Sequence, residues 1–401
     1  MAIPFSAVPV TGAADAVSAE KTATAEWTIY AVLFASASIV IGLVWDISWH
    51  RTIGRDTFWA APHLMQQAGA IIAGLSCGYL ALSTTFAGSF ADRSQSVRFW
   101  KFFQAPIGAW VCIWGTIMMI TSAPFDNWWH NAYGLDVKII SPPHIILASG
   151  MIAVELGAIL MSLGAQNRAV TEGDKRKFGL IFAIGSAVIM VMVSVMLSED
   201  ASIANDMHGA GFYRAIGLIV PLFLVAFARA SRLTWPATRI AIGYMLIMMV
   251  AMWILQLVPA QPKLAPIYNP VTRMVPPSFP LLLFAPAIAI DLALTRLRKL
   301  NDWMLALVIG ACFVILMVAI NWFWADFLMS PAARNFFFGA DHWDYSSRPG
   351  PWQYQFWNLD GPNGTWSTPA FASGVAIAIV TAIVSTRLGL AWGKGMSRVK
   401  R

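Results

Sequence analysis

The run WTIYAVLFASASIVIGLVW, residues 27–45, holds no charged side chain. A backbone in hydrocarbon must satisfy its own hydrogen bonds, which leaves the helix and the closed barrel as spanning structures. About 20 apolar residues carry a helix across a bilayer. Runs of this kind recur, and we read ten spans: 27–49, 62–86, 103–123, 143–165, 178–198, 211–230, 237–258, 277–296, 303–325 and 369–387. Pro221, Pro280 and Pro286 are expected to kink or shorten the sixth to eighth of these. Hydrophobic residues make up 58% of the chain and charged residues 12%, where a soluble protein carries about 25% charged residues. The fold class is all-α, a polytopic transmembrane helical bundle in contact with the lipid bilayer.

The net charge of +7 does not point to nucleic acid here, because the basic residues have a topological reading. Arg93, Arg98 and Lys101 fall in the second connection, Arg168, Lys175, Arg176 and Lys177 in the fourth, and Arg229, Arg232 and Arg239 around the sixth. Arg296, Arg298 and Lys299 follow in the eighth, and five more basic residues from Arg387 onward. The positive-inside rule then puts both termini and the even connections in the cytoplasm. Residues 1–26 read as a short flexible or surface-lying tail without the pattern of a signal peptide. Residues 27–210 read as the domain that carries the polar motifs, and 211–325 as further membrane helices. Residues 326–368 are expected to form an aromatic-rich outer cap, and 369–401 a last helix with a basic tail. Cys77, Cys112 and Cys312 lie in apolar runs without paired spacing, so they are expected to be small buried residues, neither disulfides nor thiolate ligands.

On this topology all six histidines fall at the outer face, and four of them belong to a repeat. WDISWHRTIGRDTFWAAPHL, residues 45–64, and FDNWWHNAYGLDVKIISPPHI, residues 125–145, share Asp-x-x-Trp-His, then Gly-x-Asp, then Pro-His. Residues four apart share a helix face, so Asp46 converges with His50, and Asp126 with His130. Proline suits the first helical turn, so His63 and His144 project from the start of the returning helix. Each hairpin offers one carboxylate and two imidazoles, a set that suits copper, zinc or non-haem iron and leaves positions open. Asp56 and Asp136 are candidates to orient an imidazole N–H. Glu199, Asp200, Asp206 and His208 end the fifth span and could add ligands or handle protons. His342, with Asp341 and Asp344, is a weaker candidate. Glu155, about three turns below His144, and Asp291 are buried-span carboxylates with no assigned role. The plainer reading of both hairpins is a hydrogen-bonded signature left by duplication.

The first stretch resembles the C subunit of the copper membrane monooxygenases, the particulate methane and ammonia monooxygenases. Asp46, Trp49, His50, Arg55, Asp56, Thr57, Pro62 and His63 carry that resemblance, which covers roughly residues 27–165. It implies that Asp46, His50 and His63 are copper ligands. The family's second site has Asn-x3-His-x13-His spacing, which Asp126, His130 and His144 match with Asp in place of Asn. The resemblance also implies a bacterial inner membrane, with the metal sites at the periplasmic face, and further membrane subunits or a homo-oligomer as partners.

The expected function is a copper-dependent membrane oxidoreductase subunit, oxidising a small apolar or ammonia-like substrate with O2. A non-catalytic metal-handling membrane protein and an assembly subunit of a larger complex are the alternatives. A haem protein fits less well, because haem-binding histidine pairs usually lie deep within spans.

Overall fold

The computed structural model describes residues 12–54, 59–88, 90–134, 141–197, 207–261, 271–341 and 367–400, and side chains there except those of 12–25, 90 and 91. Among them, nine helices are long and apolar enough to cross a membrane. In chain order these helices and their connecting elements are α1 (Gly12–Thr52), α2 (Ala61–Phe86), α3 (Phe90–Ser94), β1 (Val97–Phe99), β2 (Phe103–Ala105), α4 (Ile107–Tyr133), α5 (Pro142–Arg168) and α6 (Glu172–Met196). They continue with α7 (Ala210–Ala230), α8 (Pro236–Leu257), α9 (Phe284–Arg296), α10 (Asp302–Met329) and α11 (Thr368–Met396). The protein is a polytopic helical bundle, as its apolar runs require.

Lipid tails are as apolar as leucine, so helices in a bilayer associate through close packing rather than hydrophobic burial. Small residues supply that here. Gly108 and Gly115 on α4 lie against Gly157 and Gly150 on α5, close enough that a Cβ at Gly115 would sit 2.8 Å from Gly150 O. The seven-residue spacing keeps the glycines on one stripe and sets α4 antiparallel to α5. Gly69 on α2 meets Ala35 O of α1 in the same way, and Gly389 on α11 meets the carbonyls of Pro221 and Leu222 on α7. Thr116 Oγ1 donates to Ala70 O at 2.9 Å, tying α4 to α2 and so one hairpin to the other. α6 is the central helix: 89% of its apolar window is buried, as a helix apolar on all sides should be. Ile71, Leu75, Leu246, Val250 and Val380 remain exposed on the outside of the bundle, which is a lipid-facing surface.

Several expectations are corrected. The segment 277–296 is not one helix. Only Phe284–Arg296 is helical, because Pro276, Pro277 and Pro280 have no N–H to donate and bias the residues before them away from helical backbone. That extended stretch is buried at Val275, Phe279, Leu281 and Leu283, and side chains serve its backbone. Thr52 Oγ1 accepts from Val275 N at 2.8 Å, Ser48 Oγ donates to Val275 O at 2.6 Å, and Tyr244 Oη accepts from Leu281 N at 3.0 Å. Irregular backbone at membrane depth is tolerated only when buried in protein in this way. Pro221, by contrast, is carried inside α7, and Pro286 lies in the first turn of α9.

The span expected at 103–123 starts at Ile107 and runs to Tyr133. Phe103–Ala105 pairs instead with Val97–Phe99 in a two-stranded hairpin, since Pro106 biases its predecessor to extended backbone. The expected tail 1–26 is helical from Gly12, where GAADAVSAEKTATAE is rich in alanine. The last helix runs on to Met396, well past 387. Cys77 and Cys112 are buried, whereas Cys312 is exposed. Of the expected cap, residues 330–341 fold back onto α8: Trp253 Nε1 donates to Phe337 O and Gln256 Nε2 to Phe336 O, both at 2.9 Å. The remainder of that cap up to residue 366, including His342 and Asp344, lies outside the described residues.

The end opposite the histidines is stitched by polar contacts. Arg229 pairs with Asp302 at 2.8 Å and Lys177 with Glu26 at 2.5 Å. The Asp291 carboxylate caps α8, accepting from Ala237 N, Thr238 N and Thr238 Oγ1 at 2.7–3.0 Å.

Candidate metal centre

The hairpins bring each repeat's three side chains together. α1 ends and α2 begins so that Asp46 Oδ1 stands 3.9 Å from His50 Nε2 and 3.2 Å from His63 Nε2. The three ligand atoms lie within 4.8 Å of one another, the one such group of three or more among the described residues. Metal–ligand bonds of 2.0–2.2 Å at tetrahedral angles separate ligand atoms by about 3.3–3.6 Å, and the two Asp46 distances bracket that range. Pro62 sits in the first turn of α2, as its restricted φ favours, and Gly54 takes a φ of +96° where α1 gives out.

In the second hairpin, Asp126 Oδ1 lies 3.4 Å from His130 Nε2 and 3.8 Å from His144 Nε2. Here the other ring nitrogens are held too. His130 Nδ1 is 3.1 Å from Gly134 O, and His144 Nδ1 is 2.8 Å from Ser141 Oγ. A carbonyl has no proton to give, so His130 Nδ1 carries the hydrogen, and the ring turns Nε2 toward Asp126. Gly134 matches Gly54 in the repeat and also has positive φ, +84°.

An observation independent of spacing supports the fit to a metal. Asp46 Oδ1 and Asp126 Oδ1 are both buried from solvent and accept no hydrogen bond. A buried carboxylate oxygen left so is costly, and the same atom is orphaned in both copies. The donor set of one carboxylate and two imidazoles suits copper, zinc or iron. Aromatic rings pack on one another in the hairpins: Trp45 with Trp49 in the first, Phe125 with Trp128 and Trp129, and Trp129 with Tyr133, in the second.

The other candidates divide. His208 is buried, with Asp326 Oδ1 3.7 Å from its Nε2 and the Trp322 ring 4.2 Å from its own. Burial pushes its pKa below the ordinary 6.5, against the opposing pull of Asp326. It belongs with α10 rather than with either hairpin trio. Asp56, Asp136, Glu199, Asp200 and Asp206 lie outside the described residues, as do Arg55 and Thr57. Asp341 is exposed. Glu155 is buried in α5 about three turns, roughly 16 Å, along the axis from His144, and its Oε1 has no hydrogen-bond partner. Sequence reasoning missed Gly134 O and Ser141 as imidazole partners. Ser141, three residues before His144, was the available signal, since the first copy has Ala60 there.

Comparison with protein-family models, with curated proteins and with solved structures finds no match for this chain. The class defined by fold alone is therefore an integral membrane protein built as a helical bundle.

Proposed function

We propose that this chain is a metal-dependent oxidoreductase subunit of the membrane, with copper as the metal and zinc or iron as alternatives. It would oxidise a small apolar or ammonia-like substrate with O2. The observation that carries this reading is the convergence of Asp46, His50 and His63 around a buried, unsatisfied carboxylate oxygen. Asp46, His50 and His63 would hold the first metal, and Asp126, His130 and His144 the second. Bound copper would supply one-electron redox chemistry with O2 at a position the protein leaves open. The chain's own part is to fix the imidazoles, through Gly134 O and Ser141 in the second hairpin. The resemblance to the copper membrane monooxygenase C subunit supports the assignment, with other membrane subunits or a second copy as partners.

The sites would lie at the outer face of a bacterial inner membrane, with both termini cytoplasmic. The basic residues at the opposite end of the bundle support this orientation. An impermeant reagent should fail to label a C-terminal tag on intact cells; labelling from outside would invert the arrangement.

The half-exposed His50, with 50% of its side chain accessible, favours a second reading, a non-catalytic metal-handling protein, since an exposed ligand lets metal exchange. O2 uptake by copper-loaded membranes, given short alkanes or ammonia with a reductant, separates the two. Substrate-dependent uptake abolished in His63→Ala supports the oxidoreductase. Metal binding with no substrate-dependent uptake moves the assignment to metal handling.

A further inference from the structure

At the end of the bundle opposite the histidines, residues of the α5–α6 and α7–α8 connections line an open cleft of about 590 Å³. Gln166 lines it and is 1% exposed; it ties the two connections, donating to Ala230 O and accepting from Arg232 N, both at 3.1 Å. Beside it, Asn167 donates to Met396 O and Val399 O, and its Oδ1 is buried without a hydrogen-bond partner. Four of the remaining lining residues are cationic, beside Ala169, Leu233, Thr234 and Glu172. Lys175, Arg176, Arg232 and Arg239 face one carboxylate, Glu172, which Lys175 already holds at 2.8 Å.

Three guanidiniums therefore stand around the cleft, and none makes an ion pair with a carboxylate among the described residues. Elsewhere at this end Arg229 pairs with Asp302 and Lys177 with Glu26, while Arg168 donates to Lys400 O. Scattered arginines are ordinary at this end of a membrane protein. Arginines gathered around a recess repel one another until an anion joins them. Arg239 is held in place, its Nε donating to Thr234 O at 2.8 Å. A guanidinium fork matches two phosphate oxygens at once, and the volume is that of a small-molecule site. Trp235, 47% exposed beside Arg232 and Arg239, suits the depth of lipid headgroups.

We propose that this cleft binds a phosphate-bearing anion through Arg176, Arg232 and Arg239, and that its source is the headgroup of an anionic phospholipid. A soluble polyphosphate offers the same chemistry, and the test distinguishes the two. The inference stands apart from the metal centre, which lies at the other end of the bundle.

The protein, purified in neutral detergent, is titrated with cardiolipin, phosphatidylglycerol, phosphatidylcholine or inorganic pyrophosphate and read by native mass spectrometry. Wild type should retain the two anionic lipids and not phosphatidylcholine. Each arginine replaced by glutamine should weaken retention about fivefold. The pair Arg296→Gln/Arg298→Gln, at the same end but outside the cleft, should bind as wild type. If Arg232→Gln fails to fold, Arg176→Gln and Arg239→Gln carry the same readout. Pyrophosphate binding that displaces the lipid would retain the phosphate site and overturn its lipid source. Equal retention of phosphatidylcholine by wild type, or equal losses in the cleft and control variants, would overturn the proposal.

Discussion

Gly134 combines a φ of +84° with a ψ of −177°, a region open in practice to glycine alone. Its carbonyl receives His130 Nδ1, so the strain is placed where it fixes a candidate ligand. No atom stands within 4 Å of a Cβ built there, so any cost of Gly134→Ala is backbone strain and not a clash. We expect that variant to lose about 1–3 kcal/mol of stability and to weaken metal binding at the second hairpin, leaving the first unchanged. Thermal unfolding with a metal titration reads both. His208 makes a pH prediction. Its folded pKa lies below the ordinary 6.5 because burial disfavours the imidazolium. The unfolded chain therefore takes up a proton first as pH falls. Stability is lost as pH drops through about 6.5 toward the folded value, and the loss stops below it. The unfolding temperature should fall between pH 7.5 and 5.5 by less in His208→Gln than in wild type; an equal fall in both would sink the assignment.

At the level of elements, the α4–α5 pair positions the second hairpin. Its glycines leave no room for a methyl: a Cβ at Gly115 would meet Gly150 O at 2.8 Å and Val154 N at 2.9 Å, both backbone atoms. Gly115→Ala must push the helices apart, at a cost of about 1–3 kcal/mol. It should also lower metal occupancy at Asp126, His130 and His144, which detergent-stability and metal assays would show. Most helices were legible in the sequence, because a span in lipid has a length requirement and little else. What escaped were the places where another force decides. Prolines at 276, 277 and 280 break the eighth run, and its backbone is satisfied by Ser48, Thr52 and Tyr244, residues distant in sequence. Pro106 turns Phe103–Ala105 into a strand. No local pattern announces such contacts, since their partners lie up to 227 residues away.

On the scale of the whole molecule, the two ends of the bundle differ in chemistry. One end carries the hairpin imidazoles and carboxylates; the other carries paired ions, the Asp291 cap and the arginine-lined cleft. The site was legible because it is written twice, and the i, i+4 spacing of Asp46 with His50 and Asp126 with His130 translates directly into convergence on a helix. The closure to His63 and His144 followed from the Pro-His starts. The cleft was not legible, because Arg176 on α6 and Arg232 after α7 line it together only through the packing of α6 against α7 and α8. The central claim is that both hairpins hold a metal ion. Elemental analysis with low-temperature EPR on protein purified from membranes tests it most directly, comparing wild type with His50→Ala, His130→Ala and the double variant. Metal should be lost in two steps, one for each hairpin, and no metal should remain in the double variant. A wild type that binds no metal after reconstitution with copper, zinc or iron would contradict it.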